Sequence, residues 1–275
     1  MLSRRIATAV FGLPCVIAAI VILPPWAFSV FMLCIIACAV WEYCTMALPQ
    51  EPYIGKVIVA AAGCIPAVVV LLEANWPLSR FPQGIGLIPL SVVFGIAVLF
   101  FYALVSSADP HAGIQKIALA GLGMLYITLP LSYSMLLKAL IGGAELLLLL
   151  VSVTWVGDTA AYGTGLTMGR RRLCPRISPG KTVEGAIGSC VAAVLTAVVF
   201  CRIAMPHVGI GTAMMLGFAM NIANQFGDLS ESLLKRAYGR KDSGTLLPGH
   251  GGMLDRIDSL LFATPLLYYW SMVLH

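Results

Sequence analysis

Runs of mostly apolar residues recur from one end of this chain to the other, broken only by short polar or Pro/Gly segments. A bilayer core requires about 20 such residues per helix, and in lipid every backbone polar group must find its partner within the protein. The pattern therefore predicts an all-α, polytopic integral membrane protein. A transmembrane β-barrel is excluded, because its strands would alternate polar and apolar residues. With 60% hydrophobic and 11% charged residues, the chain carries more apolar surface than a soluble protein of 275 residues buries.

The breaks predict about nine spans: Ile6 to Leu23, Trp26 to Leu48, Val57 to Leu72, Ile85 to Val105, Ile117 to Leu137, Leu146 to Leu166, Val183 to Ala204, Thr212 to Leu229 and Leu254 to Leu274. The basic start and apolar run up to Leu23 look like a signal peptide, but the run is long and ends in Pro24-Pro25-Trp26 without a small-residue cleavage pattern, so it reads as a retained span. With a cytoplasmic N-terminus, nine spans place fourteen of the seventeen Lys and Arg residues on the cytoplasmic side and leave Arg80, Lys138 and Arg202 outside. The eight cysteines show no metal or redox spacing and read as small residues in a reducing or lipid environment.

The chain reads as one membrane domain with two characters. Residues 1–150 form hydrophobic scaffold helices, in which Glu42 is the main charged exception and reads as an interfacial residue flanked by Trp41 and Tyr43. Prolines within these spans, Pro66, Pro89 and Pro130 among them, mark bends. Residues 151–275 carry the chemistry: between 158 and 258 lie seven of the twelve acidic and eleven of the seventeen basic residues.

Asp158 sits at or near membrane depth with Tyr162 one helical turn on, and so should face a cavity or a cation. Gly163, Gly165 and Gly169 follow, but no strand precedes them, which argues against a dinucleotide-binding turn. A basic loop, GRRRLCPRISPGKT, then re-enters the membrane at Val183. Its Gly180-Lys181-Thr182 is no Walker A loop, because the chain has Pro175 where that pattern needs glycine. Lys181, beside the start of a helix, is placed to meet a phosphate. Asn221, Asn224 or Gln225, Asp228 and Ser232 draw a polar stripe along the eighth span, and Glu231 and Lys235 continue near the same face. Asp255 and Asp258, three apart, are expected to project together from the start of the ninth span. Carboxylates held so close repel unless a cation joins them, so a divalent metal bridging Asp228, Asp255 and Asp258 is expected. His250, in a glycine-rich turn, reads as a phosphate or structural hydrogen-bond partner.

The densest stretch, Ser232 to Asp258, has Lys235, Arg236 and Lys241-Asp242, then Pro248-Gly249-His250-Gly251-Gly252, then Asp255, Arg256 and Asp258. It resembles the signature of the phosphatidate cytidylyltransferases, also called CDP-diglyceride synthases. Asp158 to Tyr162 (DTAAY), Ser178 to Thr182 (SPGKT) with Glu184-Gly185, and Gly227-Asp228 with Glu231-Ser232 resemble the same family, so the likeness covers about 100 residues. The resemblance implies transfer of CMP from CTP to phosphatidate, giving CDP-diacylglycerol and pyrophosphate, with Mg²⁺ required. It implies Asp228, Asp255 and Asp258 for the metal, Lys181, Lys235, Arg236, Lys241 and Arg256 for phosphates, Ser178 and His250 for substrate, and Asp158 and Glu231 for orientation or a second, monovalent cation. The expected partners are CTP, phosphatidate and membrane lipids, without nucleic acid, and a homodimer is compatible with the small residues in the spans. The expected place is a bacterial inner membrane with the site facing the cytoplasm. A related CTP-using membrane enzyme, a polyprenol or phytol kinase or a cytidylyltransferase for another lipid phosphate, is the competing reading; a transporter is disfavoured, because the back half's motifs do not repeat in the front half.

Overall fold

The computed structural model describes residues 14–76, 86–246 and 251–274, and these are helical almost throughout. Residues 14–22 are helical; residues 6–13 of the first expected span lie outside the described residues. There follow α1 (Pro25–Ala47), α2 (Tyr53–Asn75), α3 (Leu87–Ser106), α4 (Pro110–Ala139), α5 (Gly143–Met168), α6 (Val183–Ala204), α7 (Ile210–Ala237), α8 (Leu254–Ile257) and α9 (Leu260–Leu274). Among the described residues six helices, α1 to α6, are long and apolar enough to cross a membrane. Helix α7 has 28 residues but a polar stripe lowers its hydropathy, and α9 has only 15.

The residues fall into two compact units: Met1–Leu140 with Asp242–Arg256, and Ile141–Lys241 with Ile257–His275. In the first unit, α2 packs against α1, α3 and α4. Asp109 caps α4, its carboxylate accepting from His111 N at 3.2 Å and Ala112 N at 3.1 Å, with Pro110 at the first helical position, where its missing N–H costs nothing. Within α4, Met124–Thr128 forms a π-turn just before Pro130. Proline lacks the N–H that the ladder needs and its ring crowds the carbonyl four residues back, which the wider turn accommodates. Pro66 lies inside α2, whereas Pro89 stands in the first turn of α3. Glu51, Tyr102 and Lys116 form a polar cluster: Lys116 Nζ is 3.0 Å from the Glu51 carboxylate and 4.9 Å from the centre of the Tyr102 ring, and Tyr102 donates to Glu51.

In the second unit α6 packs between α5 and α7, with α9 against α7. Small residues allow these close approaches: a Cβ at Gly217 would lie 2.7 Å from Ala197 Cβ and 3.0 Å from Ala193 O. Gly185 serves a contact within this chain, since its Cα faces the Ala161 carbonyl of α5, where a Cβ would sit 2.8 Å away.

Two expectations need correcting. The basic loop contains an antiparallel hairpin, β1 (Arg172–Cys174) with β2 (Ser178–Thr182), the two strands of a small sheet among the mostly helical described residues. It is tied to the start of α6: Glu184 accepts from Arg170 N at 3.0 Å and Arg171 N at 3.2 Å, and Val183 N donates to Arg171 O at 2.9 Å. The expected ninth helix is also broken. Helix α8 ends at Ile257, and Asp258 and Ser259 form a turn before α9. Asp258 causes the break, because its Oδ1 accepts from Ser259 N at 2.7 Å and so offers the backbone an alternative to the helical ladder. Asp255 and Asp258 therefore do not share a helix face.

Candidate functional site

In the second unit, the stripe on α7 faces protein. Asn221 is buried and donates to Ser189 Oγ on α6 at 2.7 Å, while Gln225 donates to Asn221 Oδ1 at 2.5 Å and to Ala186 O at 3.2 Å. Asn224, also buried, donates to the Ser259 carbonyl at 2.9 Å while its oxygen takes Thr154 Oγ1 of α5 at 3.0 Å. These amides lock α5, α6, α7 and the turn at 258–259 together without a charge, and they sit one and two turns before Asp228.

Asp228 forms an ion pair with Lys181, which β2 carries. The hairpin and the cap that follows it place that lysine: Thr182 Oγ1 accepts from Gly185 N at 3.0 Å, closing the first turn of α6. Replacing Thr182 by alanine should therefore cost about 1 kcal/mol of stability and loosen Lys181, measurable as a lower unfolding temperature in detergent together with reduced turnover. One turn beyond Asp228, the fully buried Glu231 pairs with Lys235. Such a pair adds little net stability, but losing one member strands a buried charge. Glu231 thus holds Lys235 in place. Arg236 is exposed and donates from Nε to Ile177 O at 3.2 Å and from a terminal nitrogen to Arg240 O at 3.1 Å, fastening the end of α7 to the hairpin. Ser178 opens β2 half-buried, and Lys241 is exposed.

Asp258 lies in the turn outside the membrane-spanning helices. Burial first, then the Asp228 carboxylate, and to a smaller extent Asp158, push its carboxyl well above the ordinary carboxylate range; the Ser259 N–H and the Lys235 ammonium offset part of this. Asp158, on α5, is within electrostatic reach of Asp228 and Lys181. Three carboxylates from α5, α7 and the 258–259 turn and two lysines thus act on one another inside one unit.

The first unit contains the other end of the signature stretch. Asp255 Oδ2 accepts from Ser243 N at 2.9 Å, Ser243 Oγ at 2.9 Å and Gly252 N at 2.8 Å. Arg256 beside it is exposed. His250, Pro248 and Gly249 lie outside the described residues. Glu42 belongs here, not at the interface that its neighbours Trp41 and Tyr43 suggest. It is buried, and its carboxylate accepts from Met253 N at 2.9 Å, Leu254 N at 3.0 Å and Ser243 Oγ at 3.2 Å. The available signal was an ionisable residue inside an apolar run, a placement that costs about 2.5 to 3.5 kcal/mol at bilayer depth and so calls for buried partners.

Among the described residues, no three His, Cys, Asp or Glu side chains converge closely enough to hold a metal ion. This does not exclude Mg²⁺, which is ordinarily held by one or two carboxylates, with substrate phosphates and water completing its shell. Asp228 and Asp258 fit that requirement in chemistry, being hard oxygen donors whose mutual repulsion a cation would relieve. Asp255, with one oxygen accepting three hydrogen bonds, acts in this structure as an organiser of its own loop.

The helical fold and this group of interacting carboxylates and lysines define an integral membrane protein with a charged cluster drawn from α5, α7, the hairpin and the 258–259 turn. The profile of the cytidylyltransferase family matches residues 3–274. A Thermotoga maritima protein named phosphatidate cytidylyltransferase is 40% identical over 202 residues, covering 70% of this chain and 74% of that protein. A Haemophilus influenzae protein of the same name is 30% identical over 287 residues, 98% of each chain. An Escherichia coli relative, named uncharacterized protein YnbB, is 32% identical over 255 residues, 90% of this chain and 80% of that one. The chain belongs to the cytidylyltransferase family.

Proposed function

We infer that this protein is a phosphatidate cytidylyltransferase, which transfers CMP from CTP to phosphatidate and releases pyrophosphate. The observation that carries this reading is the family match along essentially the whole chain, with a relative of that name aligned over 98% of both lengths. The site is chemically suited to the reaction. The phosphate monoester of phosphatidate, with a second pKa of about 6, is largely ionised near neutral pH and needs no general base. Its oxygen attacks the α-phosphorus of CTP, the bond between the α-phosphorus and the bridging oxygen breaks, and pyrophosphate leaves with that electron pair. Such transfers depend on positioning and on stabilising charge. Lys181 and Lys235 would contact phosphate oxygens as the substrates draw them from Asp228 and Glu231, with Arg236, Lys241 and Arg256 adding further cations and Ser178 and His250 further hydrogen bonds. Mg²⁺, held by Asp228 and Asp258, would neutralise charge on the phosphates; Asp158 orients this pair or binds a second, monovalent cation.

On the same reading the chain crosses the membrane nine times, α7 and α9 included, with its N-terminus in the cytoplasm and the site open to CTP on the cytoplasmic side of a bacterial inner membrane. The lysine and arginine asymmetry supports this orientation, and the small residues of the spans allow a homodimer. The decisive assay supplies purified protein with phosphatidate, Mg²⁺ and CTP labelled separately on the α- and γ-phosphates. The α-label should appear in CDP-diacylglycerol and the γ-label in pyrophosphate, both abolished by a Mg²⁺ chelator. Transfer of the γ-label to lipid would identify a kinase instead.

A further inference from the structure

The first unit holds a carboxylate to which the reaction described above gives no task. Glu42 stands near the C-terminal end of α1, and its hydrogen-bond donors among the described residues come from one distant stretch of sequence: Met253 N, Leu254 N and Ser243 Oγ. Ser243 and Met253 flank the glycine-rich stretch in sequence, so one carboxylate joins residues from both sides of it. The backbone closes tightly round it. A Cβ at Gly244 would lie 2.5 Å from Glu42 Oε1, and one at Gly252 would lie 2.7 Å from Glu42 Cδ. Asp255 completes the arrangement from the other side, taking Ser243 N, Ser243 Oγ and Gly252 N. The single Ser243 hydroxyl therefore stands between two carboxylates, 3.2 Å from Glu42 and 2.9 Å from Asp255.

We propose that Glu42 is a positioning residue for nucleotidyl transfer: held on the scaffold helix α1, it fixes Ser243 beside Met253 and Leu254 and hence the placement of Asp255 and Arg256. Two adjacent backbone N–H groups point at Glu42, Met253 N at Oε1 and Leu254 N at Oε2, so the position requires an acceptor on both of its oxygens. Glutamine offers one acceptor, and its NH₂ would face a donor. The proposal makes α1 a participant in turnover, and it rests on the cytidylyltransferase reading given above.

Glu42→Gln, compared with the parent at equal amounts of folded, monodisperse protein, should lower kcat for CDP-diacylglycerol formation about tenfold or more, because small misplacements of reacting groups are costly. The KM for CTP should change less than kcat, since Lys181 and Lys235, paired on β2 and α7, are untouched and Arg256 alone of the proposed phosphate-binding cations is affected. Glu42→Asp, which keeps the two acceptors, should recover part of the loss. Hydrogen exchange in the peptide containing Met253 and Leu254 should be faster in Glu42→Gln than in the parent. Ser243→Ala, which removes one hydroxyl and serves where Glu42→Gln folds poorly, should reduce kcat less, and should add little when combined with Glu42→Gln. A Glu42→Gln enzyme with kcat within twofold of the parent would overturn the proposal. So would an activity loss that only follows the folded fraction while Ser243→Ala retains parental kcat. A parent enzyme that makes no CDP-diacylglycerol would instead sink the functional reading on which the proposal rests.

Discussion

Asp258→Asn should reduce CDP-diacylglycerol formation by about a thousandfold or more while leaving the protein at least as thermally stable as the parent when Mg²⁺ is absent. Removing a single electrostatic stabiliser from a transfer site typically costs a factor of about 10² to 10³, and here the lost carboxylate is also one of the two groups proposed to hold the metal. The stability half follows from burial and like charge. The Asp258 carboxyl resists ionisation because it is half-buried and within electrostatic reach of the Asp228 and Asp158 carboxylates. A neutral amide removes that conflict. It also keeps an oxygen to accept from Ser259 N, which Asp258 Oδ1 meets at 2.7 Å, so the turn should survive. Loss of activity with an unchanged or raised unfolding temperature in chelator separates a working carboxylate from a structural one. Parental activity in a folded Asp258→Asn protein would remove Asp258 from the site.

Charges stand out in an apolar chain, and that contrast made much of the unit-two cluster legible. Asp158, Lys181, Asp228, Glu231 and Lys235 stand out in the sequence because a charge in a hydrophobic background costs free energy and calls for a partner, and the structure pairs Lys181 with Asp228 and Lys235 with Glu231. The 3.6-residue period then placed Asn221, Asn224 and Asp228 on one side of α7, a local regularity that a single helix suffices to express. What stayed hidden depends on distant partners or on competition. Glu42 looked interfacial because its donors, Ser243, Met253 and Leu254, lie more than 200 residues along the chain. The hairpin is not legible in the sequence because Ser178-Pro179-Gly180 is poor strand sequence; Glu184 supports it from the first turn of α6 by taking the N–H groups of Arg170 and Arg171. The ninth span read as continuous because Asp258 interrupts an apolar run only once. The structure shows that this one side chain prefers its own backbone to the helix.

Gly227→Ala is the second substitution with a large expected effect, and it tests whether the turn at Asp258 must stay where α7 holds it. Gly227 immediately precedes Asp228 and packs against the backbone of that turn. A Cβ there would collide with the Asp258 carbonyl oxygen and lie 3.3 Å from Asp258 C and 3.4 Å from Ser259 Cα. Backbone cannot rotate aside as a flexible side chain can, so either α7 or the turn must shift. Asn224 resists that shift, since its amide donates to the Ser259 carbonyl at 2.9 Å. Overpacking of this kind costs about 1 to 3 kcal/mol, and a displacement of about 1 Å between groups that must act together costs about a hundredfold in rate. Gly227→Ala should therefore lose about a hundredfold in kcat along with a measurable fall in unfolding temperature. Gly211→Ala supplies the control on the same helix, because no atom outside its immediate surroundings lies within 4 Å of the added Cβ. It should be neutral, or stabilising by up to about 1 kcal/mol through helix propensity. If both alanine variants turned over at the parental rate, the close approach of α7 to the Asp258 turn would have no bearing on catalysis. If both lost activity alike, the defect would belong to the helix as a whole.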